Sequence, residues 1–133
     1  MSKLIVIDNE FVTLLYHSDK QFVHHTIHQP IDGQVFRFLL TQGRELLENH
    51  SATKWLSDNR GMAPLTPADM EWSTTEWIPC TLEAGWKYWA LVVSNESQAR
   101  ANLAPVVNTF YDQGLQIMIF TNLEEAVEWL DRQ

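Results

Sequence analysis

The chain has 133 residues, enough for one domain with a real core. Its 17 acidic against 9 basic side chains give a net charge of −8, and no basic cluster stands out, which disfavours nucleic acid or an anionic membrane as a partner. A single cysteine, Cys80, excludes an internal disulfide framework and a multi-cysteine zinc site.

The first 30 residues carry three short β-branched runs: Leu4 to Ile7, Phe11 to Tyr16 and Phe22 to Ile27. Turn residues separate them at Asp8-Asn9 and Ser18-Asp19-Lys20, which predicts an antiparallel meander. The opening MSKLIVIDNE has too short an apolar run, with acids straight after it, for a signal peptide or a membrane span. A cytoplasmic protein is the expectation.

From Gln34 the period changes. Val35, Leu39 and Leu46 share one helical face, with Phe38 and Leu47 at its edges, and Asp32 stands as N-cap. The helix is expected from about Gly33 to Asn49. A strand follows at Thr53 to Leu56, then a loop that begins Asp58-Asn59-Arg60. Thr66-Pro67-Ala68-Asp69 reads as a capping box with Asp in the usual Glu place, so a second helix starts there. It runs towards Trp77, with Pro79 bending or interrupting it and Gly85 ending what remains.

Trp86 to Ser94 is an apolar run of strand length. A third helix spans about Ser97 to Gln113, with Ala99, Leu103, Val106 and Phe110 on one face and Gly114 as its stop. The run LQIMIF is the last strand. Asn122 caps a fourth helix whose first turn holds Glu124 and Glu125 and whose inner face holds Ala126, Trp129 and Leu130. The fold class is therefore α/β over residues 1–133, as a single domain. Its mixed β-sheet has antiparallel N-terminal strands and a parallel βαβ second half, flanked by about four helices.

This order, with the words KWLSDNR, EW, AGWKYWALV and EEAVEWL, resembles an uncharacterised bacterial group of SpoIIAA-like domains in the STAS family. The resemblance implies a small non-enzymatic module that binds a protein partner or a small ligand. Some members of that family are switched by phosphorylation of a serine at the start of the helix after a central strand. Here that region is Ser57 to Thr66, with SDNRGMAPLT in place of the family's short Asp-Ser-Gly-like motif. Ser57 and Thr66 are the candidate phosphorylation sites.

The residues themselves leave several readings open. Asp58, Asn59 and Arg60 follow a central strand, where open α/β sheets bind ligands. Arg60 could fork onto a carboxylate or phosphate, and the helix start at Thr66 could add amides. Equally, Asp58 and Asn59 could shape a turn with Arg60 paired to Asp58. His24 and His28 share a strand face as a surface pair without a third metal ligand, so no metal is expected. Cys80 reads as a partly buried structural thiol, since no base accompanies it. No catalytic constellation or phosphate loop is recognisable, and no cofactor is implied.

Trp72 and Trp77 are candidates for a groove wall or a homodimer face. The leading expectation is a non-catalytic binding or regulatory module with its site near residues 57–67. The alternatives are a carrier of a small apolar or lipid-like ligand, with Arg60 at the mouth of its pocket, and a small enzyme using Asp58 and Arg60.

Overall fold

The computed structural model describes residues 3–133. Strands β1 (Lys3–Asp8), β2 (Val12–His17) and β3 (Phe22–Ile27) form the antiparallel meander. Asn9 closes its first turn, its side-chain oxygen accepting from the amides of Phe11 at 2.8 Å and Val12 at 3.0 Å. The chain then adds α1 (Gly33–Asn49), β4 (Lys54–Asp58), α2 (Pro67–Trp72), a π-helical turn (Ser73–Trp77) and α3 (Ile78–Glu83). Strand β5 (Tyr88–Val92), α4 (Glu96–Tyr111), β6 (Gln116–Phe120) and α5 (Leu123–Asp131) complete it.

The sheet order is β1-β2-β3-β4-β5-β6, with β3 to β6 parallel. Each parallel strand lies beside the one before it. Right-handed crossovers that all step the same way must place their helices on the same face. So α1, the α2–α3 segment and α4 share one face, over a core that includes Val23, Trp55, Leu91 and Phe110. Only α5, which follows the last strand, is free to cover the other face. There Ala126 and Leu130 meet Phe22, Leu56 and Ala90.

Alternation along β4 follows from this. Trp55 and Ser57 face the three crossover helices, and Leu56 and Asp58 face the α5 side. The indoles of Trp55, Trp77, Trp86 and Trp89 are all buried and touch one another, with ring centroids as close as 4.8 Å for Trp86 and Trp89. Gly43 of α1 lies against the Trp55 ring, where a Cβ would collide with it.

Several boundaries and faces depart from the sequence reading. Strand β4 runs on to Asp58, so the acid belongs to the strand and not to the loop, and β5 starts at Tyr88 instead of Trp86. The inner face of α1 is Phe36, Leu39, Leu40, Gly43, Leu46 and Leu47, while Val35 and Phe38 are exposed. The periodic signal was wide enough to fit two helical phases, and Trp55 packing at Gly43 selects one. Asp32 precedes α1 in extended backbone without a side-chain cap bond.

Pro79 neither ends nor sharply breaks its helix. It lacks the N–H that would bond the carbonyl of Thr75, and the chain widens into the π turn just before it. The hydroxyls of Ser73 and Thr74 donate to the carbonyl of Met70 and that of Thr75 to Glu71, at 2.7 to 3.0 Å.

Thr66 does cap α2, its Oγ1 accepting from the Asp69 amide at 3.1 Å. The Asp69 carboxylate does not accept from the Thr66 amide, as a capping box would have it. Instead it accepts from the Gly33 amide at 2.9 Å and from Arg37 at 3.3 Å, tying the start of α2 to the start of α1.

Candidate functional site

A cleft of about 550 Å³ opens where β3, β4 and β5 end. This is the place a one-way parallel sheet leaves open, because each strand hands over to a loop that must climb to its helix. Ile27, Asn59 and Val93 mark the three strand ends, and α1, the π turn and the first half of α4 form the walls. The wall is mainly apolar, with Phe36, Leu40, Trp77, Trp89, Leu91 and Leu103 among its residues. Its polar members are uncharged: Ser57, Asn59, Ser73, Thr74, Ser94, Asn95, Gln98 and Asn102, with His25 at the inner end. No aspartate, glutamate, lysine or arginine lines it among the described residues.

His25 is buried and holds the floor together. Its Nδ1 accepts from Trp55 Nε1 at 3.0 Å, and its Nε2 lies 3.0 Å from Asn59 Oδ1. Burial pushes its pKa down to about 4, although the Asn59 bond and the Asp58 charge pull the other way. The ring is uncharged at neutral pH. Beside it, Trp89 Nε1 donates to Ser57 Oγ at 2.8 Å. The Asn59 backbone is pinned as well, its amide donating to Val92 and its carbonyl accepting from Met62.

Of the residues singled out in the sequence, Asn59 and Trp77 line this cleft. Trp77 is buried and donates its Nε1 to the Leu40 carbonyl at 2.9 Å, so it is a wall and not an exposed association face. Trp72 packs edge-on against Phe36, with the Arg37 guanidinium 5.4 Å above its ring. Thr66 is exposed beyond the rim. Ser57 is completely buried, which keeps its hydroxyl out of reach of a modifying enzyme.

Asp58 and Arg60 lie outside the cleft lining, so Arg60 is not at its mouth. They form a pair of their own, with Arg60 Nε 2.9 Å from Asp58 Oδ1 and Nη2 2.7 Å from Oδ2. Burial alone would raise the Asp58 carboxyl. The Arg60 hydrogen bonds and charge outweigh that and hold it below the ordinary carboxylate range. The loop stays tight because Gly61 runs against the carbonyls of Ile27 and His28, leaving no room for a Cβ.

The histidines are not a surface pair on a sheet edge. Strand β3 is internal, and its neighbour β4 covers it. His24 Nδ1 meets His17 Nε2 at 3.0 Å, whereas His28 Nε2 meets Thr13 at 2.8 Å, so the two histidines do not converge. Among the described residues no cluster of three His, Cys, Asp or Glu side chains is placed to hold a metal. Cys80 is exposed on α3, not half-buried as expected.

His25 is the floor residue that the sequence analysis did not single out. The signal was present: it shares strand parity with Val23 and Ile27, both core residues.

No helix among the described residues is long and apolar enough to cross a membrane. No protein-family model matches the chain, and no curated protein matches it. Among solved structures it is similar to an uncharacterized protein of the DUF3478 family from Shewanella loihica PV-4, described as having a SpoIIAA-like fold. That likeness has 13% identity and a TM-score of 0.56, and covers 94% of this chain and 98% of that one. A second similar structure is an anti-sigma factor antagonist from Mycobacterium paratuberculosis, at 15% identity and a TM-score of 0.47, covering 99% and 94% of the two chains. The six-stranded mixed sheet and the whole-length match to the first of these give one conclusion: the chain has a SpoIIAA-like fold.

Proposed function

We propose that the protein is a non-catalytic binding module of SpoIIAA-like fold whose cleft takes an uncharged, largely apolar small molecule. One observation carries this reading: a cleft of about 550 Å³, within the range of small-ligand sites, whose lining is apolar and free of charged side chains among the described residues. A charged ligand would lose its hydration there without a counter-ion in return. The enzyme reading loses its residues, because Asp58 and Arg60 are spent on each other away from the cleft. A protein partner is the second reading, favoured by Val35 and Phe38, which stand one helical turn apart on α1 and are 52% and 58% exposed. The solitary Cys80 supports a reducing, cytoplasmic setting for either.

The test is native mass spectrometry of protein purified gently from its own host, beside a Leu103→Trp variant that fills the cleft. The expected result is a neutral adduct on the wild type that is absent from the variant, with both proteins folded. Wild-type protein that carries nothing and takes up no apolar probe would end this reading.

A further inference from the structure

The polar floor of the cleft has a direction, and the donor-only chemistry of tryptophan sets it. An indole nitrogen can donate a hydrogen bond but not accept one. Trp55 Nε1 lies 3.0 Å from His25 Nδ1, so Nδ1 must be the accepting nitrogen. A neutral imidazole carries one proton, and here it is therefore on Nε2. That N–H faces Asn59 Oδ1 at 3.0 Å, which fixes which end of the carboxamide is oxygen. The other end of Asn59 is an NH₂ group with two donors and no acceptor. Asn59 lines the cleft, and this nitrogen has no hydrogen-bond partner among the described residues.

The neighbouring polar group obeys the same rule. Trp89 donates to Ser57 Oγ at 2.8 Å from the same side of the sheet. Ser57 is thus met by a donor too, and its hydroxyl proton is left to point elsewhere. Two indoles, Trp55 behind the wall and Trp89 within it, turn the floor into a donor surface, with no basic side chain to make it a charged one.

We infer that the cleft recognises the carbonyl oxygen of an uncharged, apolar molecule, a ketone, ester or amide, through the side-chain amide of Asn59. A carboxylate lacks a cation here, and a primary ammonium would meet donors at the Asn59 amide nitrogen and no carboxylate in the lining among the described residues. The apolar wall takes the body of the molecule, and the relay Trp55 to His25 to Asn59 holds the amide in one orientation before anything binds, so little ordering cost remains. This inference rests on the apolar-cleft reading above and adds the head-group chemistry to it.

The experiment compares two probes of one shape by calorimetry: a medium-chain methyl ketone, and the alkene in which a CH₂ group replaces its carbonyl oxygen. Wild-type protein should bind the ketone roughly ten-fold more tightly, the ratio that about one net neutral hydrogen bond supplies. Asn59→Asp keeps an acceptor for His25 and removes both donors. It should lose the preference for the ketone, bringing the ratio of the two affinities close to one, and the near-UV circular dichroism of the buried indoles shows whether the cleft has survived the substitution. Equal binding of both probes by wild-type protein overturns the head-group inference and leaves the apolar cleft standing. Binding of neither overturns both. Should Asn59→Asp fail to fold, the wild-type ratio decides alone.

Discussion

Arg60 turns back on Asp58, two residues before it, and grips both carboxylate oxygens, at 2.9 Å and 2.7 Å. The Asp58 side chain is 5% exposed and that of Arg60 is 45% exposed, so the acid is inside and the base covers it. Removing either partner has different consequences. Asp58→Ala leaves a guanidinium that water can solvate, and should cost ~1 kcal/mol for the lost turn and charge-assisted bonds. Arg60→Ala leaves a buried carboxylate without its cation, and should cost about 1–2 kcal/mol, below the figure for a fully buried pair because the solvent reaches one side. Thermal melts of the two variants check the order. Neither variant should change the affinity of the cleft for an apolar probe. A loss of binding in Arg60→Ala would return the arginine to the site.

Acid should weaken the fold well above the carboxylate range. Burial lowers His25 to about 4 and His24 to about 3, the latter with help from the neighbouring His17 and His25, against an ordinary value of 6.5. These rings are neutral when folded and take a proton at about 6.5 when unfolded. The unfolded chain therefore binds more protons below that pH, and stability falls as the pH falls. It is complete above 6.5 and declines towards the folded values of about 4 and about 3. The melting temperature should drop steadily over that window, and His24→Gln should flatten part of the slope. A wild-type Tm that does not change between neutral pH and about 5 would contradict this.

Gly43→Ala tests the closest approach between helix and sheet. A methyl group there has no space beside the Trp55 ring, which is itself fully buried among three other indoles. Overpacking of this kind costs typically 1–3 kcal/mol, more than the higher helix propensity of alanine returns. Urea denaturation gives the value, and a variant as stable as wild type would mean that the helix can shift outward.

Asp69→Ala should loosen two helix starts at once. Asp69 is 1% exposed, and its carboxylate serves the Gly33 amide and the Arg37 side chain. Its loss leaves a half-buried N–H without its side-chain partner, and the expected cost is about 1 kcal/mol. Hydrogen exchange should become faster at Gly33 as well as in α2. Faster exchange in α2 alone would reduce Asp69 to a local role.

Much of the fold was legible in the sequence because local signals agreed with one another. Asn122 and Thr66 accept the cap bonds expected of them, and Gly114 stops α4 with a φ of +94°. The faces were harder. Val35 and Phe38 fit an apolar stripe as well as Phe36 and Leu40 did, and only the Trp55 ring against Gly43 decides between them. The site was half legible. Asn59 stood out as part of a loop triplet, but its neighbours in sequence turn to the opposite side of the sheet, as alternation along an extended chain demands. His25 comes from 34 residues away to meet it, a pairing that no local pattern encodes.

The four touching tryptophans have an optical consequence. Indoles with centroids 4.8 to 5.7 Å apart share their excited states, so light absorbed by one ring is passed among all four before it is emitted. Trp77 and Trp89 border the cleft, and Trp55 and Trp86 lie behind them. Whatever enters the cleft perturbs two members of this set and is reported by the set as a whole. The unlabelled protein should therefore act as its own fluorescent indicator of occupancy, and the coupled circular-dichroism signal of the four rings should vanish as soon as the core separates.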